Sequence, residues 1–262
     1  MRTLKLYSKD DYYTVAGELF ADNHEIEFSG IDIVRFGKDI NQILSRDVLN
    51  QRSLLLQYDQ AVNLFERSYQ YEETKGYERV KKEKIPKEAF REALANAIVH
   101  RDWSIRGYIQ ISMYENEIKI SSPGGLTQGI SEEDYLSGTV SILRNPIIAD
   151  VFNRLNLIEK FGTGIKRIKK EYADSIVKPD FQVASNNLQI ILPVIDNNRL
   201  KLESEELVIY ELLQNGELPR AVLDEKTGFA KSKTLRHLNQ LIESNIVEKL
   251  GSGPGTTYGL KE

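Results

Sequence analysis

The chain has 262 residues with 35 Lys and Arg against 39 Asp and Glu, a net charge of −4, and no cysteine. Disulfides, thiolate metal sites and a cysteine nucleophile are therefore excluded, and the three scattered histidines, His24, His100 and His237, form no metal-ligand pattern. The length predicts two domains with room for a partial third. The lack of a membrane-length apolar run or a charged-then-apolar leader predicts a cytoplasmic protein with no membrane partner.

In chain order, the first eighty residues carry the weakest pattern. Tyr13 to Phe20 and Ile31 to Phe36 read as strands, and Asp59 to Tyr69 as the end of a helix or a long strand. A clear helix follows. Pro86 is preorganised for a first turn, Glu88 complements the helix dipole, and Phe90, Leu94, Ala97 and Ile98 make one apolar stripe. Glu92 and Asn96 are four residues apart on another face, stacked one turn above the other. A carboxylate that orients water beside an amide oxygen that coordinates Mg²⁺ suits phosphate-ester chemistry, whereas spacing alone more often marks a solvated Glu and Asn on an amphipathic helix.

Tyr108 to Met113 and Ile118 to Ile120 alternate as two strands of a hairpin, the second running into Ser121-Ser122-Pro123-Gly124-Gly125. Adjacent glycines allow close backbone approach to a ligand, and they also simply make turns. Arg144 and Asn145, just before Pro146, would meet phosphate or brace a loop. Gly162-Thr163-Gly164, ahead of the basic run Lys166, Arg167, Lys169 and Lys170, places amides at a helix N-terminus where phosphate is favoured. Glu159 beside this loop would pair with a basic neighbour or a backbone amide.

Asp196-Asn197-Asn198-Arg199 reads as a linker. Beyond it, Glu203 to Leu213, Pro219 to Lys226 and Lys231 to Ser244 read as three helices. Ile246 to Leu250 and Thr256 to Leu260 then read as two strands around a glycine-rich tip. Three helices and a hairpin in this order predict a winged helix. Its third helix would offer Lys231, Ser232, Lys233, Thr234, Arg236 and His237 to DNA, with Ser252, Thr256 and Lys249 on the wing. From Lys201 to Glu262 eight basic residues face ten acidic ones, so the segment is not basic overall. Its acids concentrate on the first helix, and dimerisation or protein docking is the competing reading.

Other motifs point elsewhere and fail. His100-Arg101-Asp102 mimics a kinase catalytic loop without a downstream Asp-Phe-Gly. Gly251-Ser252-Gly253-Pro254-Gly255 lacks the βαβ context of a dinucleotide loop, and no Walker A lysine motif occurs.

Four blocks in order carry a family resemblance: Glu92 to Trp103, Ser122 to Leu126, Arg144 to Ala149 and Ile158 to Ile165. From about Ile85 to Tyr172 the chain resembles the ATP-binding domain of Schlafen/AlbA-associated bacterial regulators, the C-terminal domain of RecG-like helicases. That domain is in turn similar to the gyrase/histidine-kinase-like (GHKL-type) ATPase fold. The resemblance implies an α+β protein: a GHKL-like α/β sandwich over 81–196, a partial Schlafen/AlbA-like segment over 1–80 packing on it or forming an oligomer contact, and a winged helix over 197–262. It implies ATP and Mg²⁺ as cofactors, Glu92 as general base and Asn96 as metal ligand. Nucleotide contacts would come from Asn96, Ser122, Gly124, Gly125, Arg144, Asn145, Gly162, Thr163 and Gly164. Where such ATPases carry an aspartate for the adenine amino group this chain has Ser122, which lacks the carboxylate's charge and reach.

The function expected is that of a transcriptional regulator in which nucleotide occupancy modulates DNA binding. The alternative is an ATPase of a nucleic-acid-processing or phage-defence system that uses the winged helix for assembly. Turnover stays open: a weak Mg²⁺-dependent ATPase and a pocket that binds nothing are both compatible with Ser122.

Overall fold

The structure is a computed structural model that describes residues 2–8, 10, 12–75, 78–138, 142–158, 162–173, 175, 177–195, 204–214, 216–244, 246–251 and 253–261. The expected linker Asp196–Arg199, the helix start Glu203, Glu159 and the wing residue Ser252 lie outside the described residues. The chain forms two compact units, Met1–Ile195 and Asp196–Glu262.

The first unit is built on one six-stranded sheet. Its strands are β1 (Ile31–Phe36), β2 (Ile43–Leu49), β5 (Ile109–Met113), β6 (Glu117–Pro123), β7 (Asp180–Ala184) and β8 (Asn187–Pro193), in the order β2-β1-β5-β6-β8-β7. A separate hairpin joins β3 (Gln70–Lys75) to β4 (Glu78–Glu83). The pair β1/β5 is parallel and the others are antiparallel, which makes the sheet mixed. Strand alternation sends Ile33, Ile111, Met113, Ile118, Ile120, Ile190 and Leu192 to one buried face. Over that face lie α2 (Leu54–Tyr69) and α3 (Lys87–His100), with Phe65 stacked on Phe90 at 4.0 Å between ring centres. Burying a side chain of this size contributes roughly 1.5–3 kcal/mol. Such contacts hold α3 in the register that positions Glu92.

Residues 13–20 do not form the expected strand. Thr14 caps α1 (Val15–Leu19), its hydroxyl accepting from the Gly17 amide, and this local bond outweighs the apolar run. The segment Asp59 to Tyr69 belongs wholly to helix α2. Residues 1–80 are not a body of their own, because β1 pairs directly with β5 and both lie in the unit Met1–Ile195. Three short helices complete this unit: α4 (Glu132–Ser137), α5 (Pro146–Arg154) and α6 (Gly164–Glu171).

The second unit contains α7 (Ser204–Leu213), α8 (Arg220–Thr227) and α9 (Lys231–Glu243). It also holds a three-stranded antiparallel sheet in the order β10 (Val247–Leu250), β11 (Thr257–Leu260), β9 (Leu218–Pro219). The two-residue strand β9 has no alternation to reveal it and exists by pairing with β11. Ile209, Leu213, Leu223, Leu238, Leu241, Val247 and Tyr258 form a core of its own.

Candidate functional site

Helix α3 presents Glu92 and Asn96 towards the start of α6. Asn96 Nδ2 lies 3.4 Å from Glu92 Oε1, and Arg167 Nη1 of α6 lies 3.6 Å from Glu92 Oε2. Glu92 is buried, not solvated, at 7% exposure. Burial raises its pKa, and Arg167 and then Asn96 oppose that rise. Gly164, the first residue of α6, sits directly on this pair. A Cβ there would stand 2.5 Å from Asn96 Nδ2 and 2.7 Å from Glu92 Oε1. Only glycine lets the helix N-terminus, whose first amides have no intrahelical partner, approach the carboxylate and amide so closely.

Around this junction is a cavity lined by Glu92, Asn96 and His100 from α3, Ser122 from β6, Gly162 just before α6 and Gly164 at its start. Leu126, Thr127, Ile130, Tyr135, Ile142 and Leu143 supply much of the remaining wall. The cavity measures about 70 Å³. That is room for roughly two waters. His100 is held neutral: burial, reinforced by Arg144, takes its pKa down to about 4.

Several expected contacts have structural partners instead. Ser122 Oγ donates to the Ala97 carbonyl at 2.7 Å, tying β6 to α3, and this leaves it only acceptor capacity for a ligand. Arg144 donates to the carbonyls of His100 at 2.9 Å and Gly125 at 3.0 Å. Asn145 Nδ2 donates to the Val99 and Arg101 carbonyls at 2.8 and 2.7 Å, satisfying orphan groups at the end of α3. Both residues brace the loop, the second of the readings their positions allowed. Gly124, at φ 109°, has no room for a Cβ beside Arg144 and Asp102, and Gly125 none beside Ser185. The close approach that these two glycines allow here is to protein atoms. None of Gly124, Gly125, Arg144, Asn145 and Thr163 lines the cavity, whereas Glu92, Asn96, Ser122, Gly162 and Gly164 do.

Two features escape a reading by motif. Arg167 faces Glu92 because it follows Gly164 by three residues, a helical spacing hidden within a basic run. Arg101 of the kinase-like triplet is a buried brace. It donates to the Phe28 and Gly107 carbonyls and stacks over Trp103 at 4.3 Å, with burial lowering its pKa to about 10. Asp102 accepts from the Ser104 amide and hydroxyl, which lowers its pKa.

In the second unit the expected DNA face needs correction. Thr234 and His237 are fully buried and cannot reach DNA. His237 Nε2 lies 3.1 Å from Glu205 Oε2, and Lys233 Nζ pairs with Glu205 Oε1 at 2.5 Å, so α9 turns this side to α7. Glu205 is held below its usual pKa by Lys233 first. Helical period explains the error: 234, 237, 238 and 241 share one stripe, leaving Lys231, Ser232, Arg236, Asn239 and Gln240 exposed.

Residues 107–192 match the family model described as "Putative ATP-dependent DNA helicase recG C-terminal". That match starts after α3 and does not include Glu92 or Asn96. The chain is also 32% identical over 62 residues to the xylose repressor of Bacillus spizizenii, a match covering 24% of this chain and 16% of the repressor. Among solved structures it is similar to the DIP2311 protein of Corynebacterium diphtheriae. That similarity has a TM-score of 0.63 at 21% identity, over 99% of this chain and 56% of the other, and shows the fold. The chain thus spans about half of that structure and a sixth of the repressor. These matches carry the ATPase-like part of the resemblance and not its Schlafen/AlbA part. No helix among the described residues is long and apolar enough to cross a membrane, and no group of three or more metal-ligating side chains occurs among them.

Proposed function

We propose that the chain is a nucleotide-binding regulator in which ATP occupies the cavity between α3 and α6 and modulates DNA binding by the second unit, read as a winged helix. The observation that carries this is the seating of the α6 N-terminus on Glu92 and Asn96 at a position where no Cβ fits, beside an ATPase-like domain match. The donor set suits a nucleotide: the amides of Gly162 and Gly164 would take phosphate, and Arg167 supplies positive charge. Asn96 would hold Mg²⁺ through its amide oxygen, and a bound Mg²⁺ would screen phosphate charge. Glu92, once unprotonated, would accept a proton from an attacking water.

Size decides how binding proceeds. Nucleotide-sized ligands need cavities of roughly 300 Å³ or more, so the wall of Leu126, Thr127, Ile130, Tyr135, Ile142 and Leu143 moves outward as the ligand enters. Neutral His100 and half-buried Tyr135 give the opened pocket an apolar side suited to a base. For the second unit, the exposed face of α9 offers Arg236 for phosphate or guanine and Asn239 and Gln240 for adenine edges. A repressor relative is in keeping with this reading.

The alternative, an ATPase whose turnover drives an assembly, uses the same pocket. Glu92→Gln separates the two. A regulator that needs occupancy alone keeps its ATP-dependent change in duplex affinity, measured by fluorescence anisotropy, whereas a turnover-dependent machine loses it.

A further inference from the structure

A second groove opens in the first unit at the carboxyl ends of β1 and β5, and it shares no lining residue with the Glu92 cavity. It measures about 380 Å³ and is lined by Arg35, Phe36 and Lys38 at the end of β1, by Tyr69 and Lys84, and by Tyr114 and Glu115. Phe36 stacks on Tyr114 at 5.0 Å with an 11° interplanar angle, and Lys119 Nζ stands 5.5 Å from the Tyr114 ring centre.

The groove is pinned from beneath. Tyr69 Oη donates its one proton to the Tyr114 carbonyl at 2.7 Å and lies 3.0 Å from the Glu117 carbonyl, fixing the β5–β6 turn. The Lys84 amide donates to Tyr69 O at 2.7 Å, and the Lys84 carbonyl accepts from Ile195. Gly37 N donates to Gln42 O at 2.7 Å, holding the turn that carries Lys38. Yet the cations these elements display are unspent. Arg35, Lys38 and Lys84 are exposed and have no ion-pair partner among the described residues, and the acid lining the groove is Glu115.

We propose that this groove is a single-stranded nucleic-acid site, in which a base packs on Phe36 and flanking phosphates meet Arg35, Lys38 and Lys84. The chemistry selects the ligand class. A small phosphorylated molecule is held by donors converging in an enclosed cradle that buries most of its surface. Here the cations are spread out, Arg35 and Lys38 at the end of β1 and Lys84 after β4, along an open groove beside an aromatic pair, the arrangement that tracks a charged strand with stacked bases. A rigid duplex keeps its bases inside the stack and cannot present one to Phe36.

The test is fluorescence anisotropy of the full chain with a labelled oligothymidylate of about ten nucleotides, a length within the range such sites cover. Three phosphate contacts at about 0.7 each predict that log K falls against log salt with a slope of about −2. The triple variant Arg35→Gln/Lys38→Gln/Lys84→Gln brings the slope near zero and lowers low-salt affinity by about tenfold or more. Phe36→Leu weakens binding about fivefold or more while keeping the slope. Arg154→Gln, an exposed cation on α5, leaves oligomer binding unchanged.

Should the triple variant lose its thermal transition, Lys38→Gln alone, on an exposed turn, reads a slope reduced by about 0.7. The proposal is overturned if the wild type fails to bind the oligomer at low salt, or if the cation variants keep wild-type affinity and slope. It is equally overturned if binding is lost with Arg154→Gln, or if thymidine monophosphate competes as well as the oligomer.

Discussion

Replacing Gly164 by alanine tests the junction on which the nucleotide site depends. Two effects oppose each other. Alanine is favoured over glycine in a helix by up to about 1 kcal/mol, and Gly164 opens α6 without a positive φ, so the backbone accepts it. Against this, the new methyl would stand 2.5 Å from Asn96 Nδ2 and 2.7 Å from Glu92 Oε1. Neither atom retreats freely, because Glu92 is buried between α3 and Arg167. Overpacking of this kind costs about 1–3 kcal/mol, and α6 must slide off α3 to relieve it. The net expectation is destabilisation by about 1–2 kcal/mol, which lowers Tm by roughly 2–8 °C in a unit of this size. Thermal unfolding followed by circular dichroism reads this directly. A Tm equal to or above that of wild type would mean that the helix-propensity gain wins and that α6 does not press on Glu92 and Asn96.

Glu92→Gln removes a charge that burial disfavours. Because the folded pKa of Glu92 is raised, its destabilising charge develops as pH rises above the ordinary 4.5. The variant should therefore gain stability over wild type in that direction and match it in acid, as pH-dependent denaturation would show. His100 has the opposite sign. Its folded pKa of about 4 lies below the ordinary 6.5, so stability present at neutral pH is lost as pH falls between these values. The loss is on the order of 3 kcal/mol, and His100→Asn should flatten that part of the acid-unfolding curve. Leu238→Ala, at a fully buried position of the small second core, should cost about 2–5 kcal/mol and remove duplex binding, measured by chemical denaturation and anisotropy. Arg236→Gln should leave stability within about 0.5 kcal/mol and reduce the salt slope of duplex binding by about 1.

The elements legible in the sequence are those with an unambiguous period. The stripe Phe90, Leu94, Ala97, Ile98 marks α3, and the alternation through Ile111, Met113, Ile118 and Ile120 marks the β5–β6 hairpin. α1 forms where the apolar run predicts a strand, because a Thr14 cap, not a period, creates it. β2 is exposed at the sheet edge and β9 is two residues long, so neither carries an alternating signal. At the site, the stacking of Glu92 over Asn96 follows from spacing four, but their burial does not, since it depends on α6 arriving from seventy residues away. The glycine loops illustrate the same limit. Gly164 and Gly125 each admit a close approach, yet only the folded chain shows that one meets the site and the other the backbone of Ser185. On α9, residue type suggested Thr234 and His237 as donors, whereas the apolar stripe through Leu238 and Leu241 turns them inward.

The central claim is that the cavity between α3 and α6 takes a nucleotide. Calorimetric titration of the full chain with ATP, with and without Mg²⁺, on wild type and Asn96→Ala tests it most directly. The account predicts saturable binding to the wild type that strengthens with Mg²⁺ and weakens by about tenfold or more in the variant, the cost of roughly one charge-assisted contact. An absence of binding at millimolar nucleotide, or equal Mg²⁺-dependent binding by both proteins, would contradict it.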